Sequence, residues 1–320
     1  RKEDPAEMQH LIERRQIQLD GLRLSYLEQG KATTDQPSLL LLHGLMGCAD
    51  TFAPFIQELD PNQHVIALDF PGAGLSERRD NIDASLYITA KLVDRFLLTL
   101  DLHKPVVLGH SHGGAVAMSL AAHRRDGLRS LVLLAPAHPW FDESDPLIRF
   151  YLSLPGRAFA YTMPWFPQWI QMLGLRRMAG PQSWDTPERL KPYRDNIRTP
   201  GTMSHLLRLL RTWHKDMSGL RRALRRPLAT PTLIVWGDCD RAVPLHSASK
   251  LRSHLLHSEL ITLPGVGHRP AEENPALVAE FLHGWLDRNA AASSIRYSPN
   301  SSATHARSAS LITPSFESGD

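Results

Sequence analysis

The chain has 320 residues, 42% hydrophobic and 22% charged, enough for one large core or a core with a smaller accessory domain. Its formal net charge of +3, from 36 Lys and Arg against 33 Asp and Glu, gives no basis for nucleic-acid binding as a main function. Cys48 and Cys239 are the only cysteines; they suggest no disulfide framework and fit a cytoplasmic location, and no apolar stretch reaches the ~20 residues that span a bilayer.

Residues Arg1 to Gln9 are polar and read as loose. Ile17-Gln18-Leu19 and Leu22 to Tyr26 alternate around Asp20-Gly21, the pattern of a β-hairpin. Short apolar runs follow at Leu39 to Leu42, Val65 to Leu68, Val106 to Leu108, Leu131 to Leu134, Leu233 to Trp236 and Leu260 to Leu263. Their continuous apolar character predicts strands buried on both faces of a parallel sheet. Between them, Leu86 to Leu100 and Gly114 to Arg125 are long enough for crossover helices, and the apolar positions of the first repeat near helical spacing. Alternating strands and helices predict an α/β fold with an open, mostly parallel central sheet flanked by helices.

The rhythm breaks between Pro136 and Arg226, a stretch rich in Pro, Trp and Phe without a clear buried strand. Met203 to Arg226 predicts one or two amphipathic helices, with Leu206, Leu207, Leu210, Trp213, Met217 and Leu220 as the apolar stripe. Residues 10–135 and 229–288 are therefore assigned to one core, 136–228 to an inserted helical cap, and 289–320 to a disordered tail dominated by Ser, Ala and small polar residues.

Val106-Val107-Leu108 runs into Gly109-His110-Ser111-His112-Gly113-Gly114 and then into an apolar helical segment. This is the strand, sharp turn and helix that a G-x-S-x-G motif requires, with Ser111 as candidate nucleophile. A serine hydroxyl needs a base. His268 lies in the loop Pro264 to Pro270 after a predicted strand, and its glycines let the chain turn back across the strand ends. The orienting carboxylate is expected after Leu233 to Trp236, where Asp238 and Asp240 both stand; Asp240 is favoured and Asp238 is the alternative. The backbone amides of Leu45, in His43-Gly44-Leu45-Met46-Gly47, and of His112 are the natural oxyanion donors. Asp69 to Ser76 is assigned to loop shape and support of the site.

These residues resemble the α/β-hydrolase family in its capped, single-chain form, of the serine carboxylesterase and lipase kind. His43 to Gly47 looks like the family's oxyanion loop, Asp69 to Ser76 like its D-x-x-G-x-G-x-S loop, and Gly109 to Gly113 like its nucleophile elbow. Gly237 to Pro244 looks like its acid turn and Gly267-His268 like its histidine loop. The family pattern G-x-x-D-x-x-x-P places the acid on Asp240, and the chain order Ser, Asp, His is the family's. The resemblance runs from about Ile17 to Leu286 and is weak within the cap. It implies a Ser-His-Asp acyl-enzyme mechanism on a small acyl substrate, with no metal or cofactor. Carbon–carbon bond, amide and lactone hydrolases share the triad, and a non-catalytic ligand-binding protein of the same fold is the remaining alternative. Epoxide hydrolases and haloalkane dehalogenases use an aspartate nucleophile, and Ser111 speaks against both.

Substrate is expected to be decided by the cap. Trp140, Phe141, Phe150, Tyr151, Phe159, Tyr161, Trp165, Phe166 and Trp169 are concentrated there, either as the core of a small lid or as the lining of an apolar pocket for a medium-sized or lipophilic ester. Tyr161 to Leu175 is also the candidate segment for peripheral contact with a lipid interface.

Overall fold

The computed structural model describes residues 12–34, 36–141, 146–181 and 186–296. The chain divides into two compact units, Arg1–Glu280 and Phe281–Asp320. The loose segment expected before residue 10 lies outside the described residues. So does the expected tail beyond residue 296.

The first unit is built on an eight-stranded sheet in the order β1-β2-β4-β3-β5-β6-β7-β8. The strands are β1 (Ile12–Leu19), β2 (Leu22–Gln29), β3 (Leu39–Leu42), β4 (Val65–Leu68), β5 (Val106–His110), β6 (Ser130–Leu134), β7 (Thr232–Gly237) and β8 (Ser258–Leu263). β1 and β2 form the expected hairpin, with Leu19 opposite Leu22. Its two-residue turn holds Asp20 and Gly21 at φ 55 and 74, the double positive φ that Asp-Gly accommodates. β2 runs antiparallel to β4, and every pairing from β4 through β8 is parallel.

β3 to β7 are buried along their whole length, as their unbroken apolar runs require. β8 departs from that expectation. It ends the sheet order, and Glu259 and Thr262 are exposed. An apolar run records a strand but not how many neighbours cover it.

Helices α1 (Leu86–Thr99) and α2 (His112–His123) are the crossover helices on either side of β5. α1 buries Leu86, Ala90, Val93, Phe96 and Leu97 at helical spacing. The Phe96 ring meets Tyr26 of β2 edge-on, with centroids 5.4 Å apart. α2 buries ten consecutive residues, His112 to Ala121. Its first turn lies closest to its neighbours, where a Cβ on Gly113 would meet the Leu42 carbonyl and one on Gly114 the Pro136 ring.

Between β6 and β7 the chain leaves the sheet for the helical insertion. Its described elements are α3 (Pro146–Leu152), α4 (Leu154–Thr162), a 3-10 turn at Met163–Trp165, α5 (Gln168–Met178), α6 (Pro187–Arg198) and α7 (Thr202–Ala223). Prolines set several of the starts. Pro155 and Pro187 occupy first-turn positions behind the N-caps Ser153 and Thr186, whose hydroxyls accept from Gly156 N and Arg189 N. α7 is a single helix of 22 residues that buries Met203, Leu209, Leu210, Trp213, Met217 and Leu220. Ala160, Met163, Met172, Leu175, Leu190, Tyr193, Ile197 and Met203 make a separate apolar cluster within the insertion.

After β7 come α8 (Ala248–Arg252), β8 and α9 (Pro275–Arg296). α9 continues past residue 289, where the tail was expected to begin. Ala290 to Ser293 favour helix as readily as loop, and composition alone did not place the end.

Phe96 is fully buried, so Phe96→Ala removes its contacts with Tyr26 and leaves a cavity. A loss of about 3–5 kcal/mol in unfolding free energy is expected, read as a lower urea midpoint at unchanged slope.

Candidate active site

The strand-turn-helix junction places Ser111 between β5 and α2 with φ 50 and ψ −115. Three neighbours hold this conformation. Ser111 N donates to Leu134 O at 3.0 Å, while Ala137 N and Gly114 N each donate to Ser111 O at 2.9 Å. The flanking glycines are demanded by space. A Cβ on Gly113 would collide with the Leu42 carbonyl of β3, and one on Gly109 with the Gly113 carbonyl.

The loop after β8 brings His268 to this turn. Its Nε2 lies 3.0 Å from Ser111 Oγ, and its Nδ1 lies 2.9 Å from Asp240 Oδ2. An ionised carboxylate only accepts, so Nδ1 carries the proton and Nε2 presents its lone pair to the serine hydroxyl. All three residues are buried. Asp240 faces four donors: Ala242 N and Val243 N to Oδ1 at 2.8 and 2.9 Å, and Trp236 Nε1 at 3.2 Å beside His268 Nδ1 to Oδ2. Asp238, the alternative acid, is exposed, and its carboxylate accepts from Gly265 N at 2.8 Å. It is outside the Ser111–His268–Asp240 line and braces the loop that precedes His268.

Leu45 lies in the turn after β3 and His112 at the start of α2, directly after Ser111. Among the described residues, neither backbone amide has an acceptor within the chain. His43 donates from Nδ1 to Gly44 O at 2.8 Å and accepts from Phe70 N at Nε2, 3.1 Å. Both ring nitrogens are thus used in fixing the exit of β3, and burial lowers its pKa.

The histidines beside the serine are also buried and neutral. Burial, then the neighbouring His268, pushes His110 well below the ordinary imidazole range; burial takes His112 to about 3. His110 donates from Nε2 to the His268 carbonyl at 2.8 Å. The residue before the nucleophile therefore anchors the backbone of the histidine after β8.

Asp69 supports the site in the way expected of its loop. Its buried carboxylate accepts from Ala49 N at 2.6 Å, Leu75 N at 3.0 Å and the Arg14 guanidinium at 2.7 Å. Arg14 and Glu273 are supporting residues that no motif marks. Glu273 accepts from Gly267 N at 2.7 Å, Arg269 N at 3.0 Å and Gly180 N at 2.8 Å, clasping the histidine loop and the end of the insertion together. The one available sign was an acidic pair, Glu272-Glu273, just after the loop, at a helix start.

Ser111 opens into a cavity of about 180 Å³. Leu45, Met46 and Val243 line it from the sheet side, and Tyr151, Met163, Leu175, Met203, Leu210 and Trp213 from the insertion. The cap aromatics divide accordingly. Phe141 and Tyr151 face the cavity, Phe159 and Phe166 pack on each other at 5.4 Å, and Trp140 stacks on His254 at 3.9 Å. Tyr161, Trp165 and Trp169 are exposed. Among the described residues, no three His, Cys, Asp or Glu side chains converge as metal ligands.

Residues 37–275 match the family model described as the alpha/beta hydrolase fold. The chain is 28% identical over 272 residues to the uncharacterized hydrolase YugF of Bacillus subtilis, covering 85% of this chain and 97% of that protein. It is 26% identical over 255 residues to the monoacylglycerol lipase ABHD6 of Bos taurus, covering 78% and 75%. Among solved structures, a putative lipase (lip1) from Acinetobacter baumannii superposes with a TM-score of 0.74 at 24% identity, over 90% of this chain and 96% of that one. The epoxide hydrolase CorEH superposes as well, with a TM-score of 0.75 at 20% identity over 87% and 99%; likeness of fold therefore leaves the reaction open. The sheet order, the helical insertion and the extent of the family match agree, and the chain belongs to the α/β-hydrolase fold family.

Proposed function

We propose that the protein is a serine hydrolase of lipophilic carboxylic esters that works through an acyl-enzyme on Ser111. The observation that carries this reading is the unbroken hydrogen-bonded line from Ser111 Oγ through His268 to Asp240, at the base of an apolar cavity. An aspartate nucleophile would be needed for epoxide or haloalkane chemistry, and the turn carries serine.

His268 Nε2 takes the proton of Ser111 as Oγ attacks the acyl carbon. The developing imidazolium is stabilised by Asp240, whose other oxygen is occupied by two backbone amides that fix its orientation. Negative charge on the former carbonyl oxygen falls to the Leu45 and His112 amides, and the N-terminus of α2 adds its dipole. His268 then gives its proton to the leaving alcohol. Water, activated by the same nitrogen, releases the acid. His110 and His112 are neutral near pH 7 because of burial, which leaves this proton work to His268.

The cavity wall is mostly Leu, Met, Val, Ala and aromatic, with Gln171, Arg177, Arg241 and Arg269 among its polar members, so it favours an acyl chain along most of its surface. The likeness to monoacylglycerol lipases supports a monoacylglycerol or a similar single-chain ester. The outer side of the insertion suits a lipid source. On α4 and the turn after it, Leu154, Tyr161 and Trp165 are exposed at helical spacing; on α5, Trp169 and Leu173 are exposed four residues apart. From Leu154 to Arg177 the sequence holds Arg157, Arg176 and Arg177 and no acidic residue. Apolar and aromatic rows flanked by cations suit peripheral contact with an anionic bilayer surface. Among the described residues, no helix is long and apolar enough to cross a membrane.

Ser111→Ala is expected to lower turnover of a medium-chain ester by at least about 10³-fold while leaving the thermal midpoint in place; ester turnover at the wild-type rate would overturn the assignment. Asp240→Asn should lose about 10²- to 10⁴-fold in kcat, and Asp238→Asn less than about tenfold. The reverse ranking in the same assay exchanges the two carboxylates. Trp165→Gln with Trp169→Gln should weaken co-sedimentation with phosphatidylglycerol-containing vesicles about tenfold or more, with hydrolysis of a water-soluble ester unchanged. Equal sedimentation of variant and wild type removes the interfacial role of this face.

A further inference from the structure

The turn that carries Leu45 is held in an unfavourable shape. Gly47 N closes on Gly44 O at 3.2 Å, and Met46, third residue of the four, has φ 65. That backbone region favours glycine, and a side-chain-bearing residue stays there only when its surroundings hold it. His43 grips the turn from the sheet side, through Gly44 O. A second grip comes from the insertion.

Asn196, on α6, is buried. Its Nδ2 donates to Met46 O at 2.9 Å and to Gly47 O at 3.0 Å. Its Oδ1 accepts from Gly74 N at 3.0 Å and from the Arg78 guanidinium at 3.2 Å. Two acceptors on one side and two donors on the other leave a single orientation for the amide. Arg78 is itself tied to Gly74 O at 2.7 Å and to Thr202 Oγ1, at the start of α7, at 2.9 Å. One side chain from the insertion therefore joins the oxyanion turn to the loop that follows β4. Asn196 is absent from the wall of the cavity at Ser111.

We infer that Asn196 is a positioning residue of the oxyanion hole, holding the Met46 and Gly47 carbonyls so that the Leu45 amide points at the oxygen of the tetrahedral intermediate. This rests on the assignment of Ser111 as nucleophile and Leu45 as oxyanion donor. It makes the oxyanion hole a joint product of core and insertion: the turn is strained alone and is completed by a helix of the cap. The side chain acts on the rate of the chemical step without touching substrate.

Asn196→Asp preserves size and shape but sets an oxygen against two carbonyl oxygens. With a water-soluble ester, kcat is expected to fall about ten- to hundredfold while KM stays within about threefold. The affinity for a boronic acid that forms a tetrahedral adduct on Ser111 should fall by a similar factor. Asn196→Ser, smaller and neutral, gives the same split should the charged variant fold poorly, and rates are taken per folded molecule after checking the denaturation midpoint. Folded variants with wild-type kcat, or with a raised KM alone, overturn the inference. Ser111→Ala separates the two levels. If it retains turnover, the catalytic reading has failed; if it is inactive while the Asn196 variants keep wild-type kcat, only the role of Asn196 has.

Discussion

Ser111 occupies a backbone conformation, φ 50 and ψ −115, that a side-chain-bearing residue adopts only under constraint. Such strain costs on the order of 1–3 kcal/mol. The hydrogen bonds to Leu134 O, from Ala137 N and from Gly114 N contribute roughly 0.5–1.5 kcal/mol each, so together they can hold it. Each comes from a separate place: the end of β6, the chain just beyond it, and the first turn of α2. The constraint then propagates. Gly109 and Gly113 must lack side chains because the carbonyls of Gly113 and Leu42 stand where a Cβ would be, and the compact residues of α2 follow from the closeness of helix and sheet. The sheet order places β3 directly beside β5, so that the loop after β3 reaches the serine.

Around that point the buried and half-buried polar groups form matched sets. The carboxylate of Asp240 faces four donors, Asp69 three and Glu273 three, all of them loop amides, an indole, an imidazole or a guanidinium. Buried and half-buried carboxylates of this kind act as rivets for loops, because a backbone amide that lost its acceptor would be left without one away from bulk water. The histidines are treated the opposite way. His43, His110 and His112 are kept neutral by burial, so His43 and His110 serve as hydrogen-bonding struts without adding positive charge beside His268. A charged His110 would oppose protonation of the neighbouring ring, whose centroid is 5.1 Å away.

Much of this was legible in the sequence where the signal was local. Strand, glycine turn and helix are contiguous around Ser111, and the hairpin turn, the interior strands and the His268 loop are equally local. Asp238 and Asp240 were both in view, and the resemblance to the family's G-x-x-D-x-x-x-P pattern favoured Asp240, the residue hydrogen-bonded to His268. The Leu260 to Leu263 run gave a strand but not its place at the sheet edge, because apolar character does not count neighbours. Arg14, Asn196 and Glu273 were not legible. They act through contacts with residues as far as 150 positions away, and each is an ordinary polar residue in an unremarkable stretch. The cap aromatics could not be divided into inner and outer sets either. Pro155 starts α4, and Pro164 and Pro167 restart the helical phase between α4 and α5, so no single periodicity runs through the segment.

That division gives the insertion an uncommon composition. A helix on a globular surface has one apolar stripe and one polar face. α4 and α5 instead carry apolar residues on both sides. Ala160, Met172 and Leu175 are buried, as is Met163 in the turn between the helices. Leu154, Tyr161, Trp169 and Leu173 are exposed, with Trp165 between them. The inner row accounts for itself by packing and by lining the cavity. The outer row does nothing for the stability of the chain alone, since exposed apolar surface disfavours the state in water by roughly 25 cal/mol per Å². Its presence is economical only where that side meets something apolar. Under the proposed activity the same two helices then separate a lipid source from the cavity above Ser111, and their thickness is the distance a single-chain ester would have to cross.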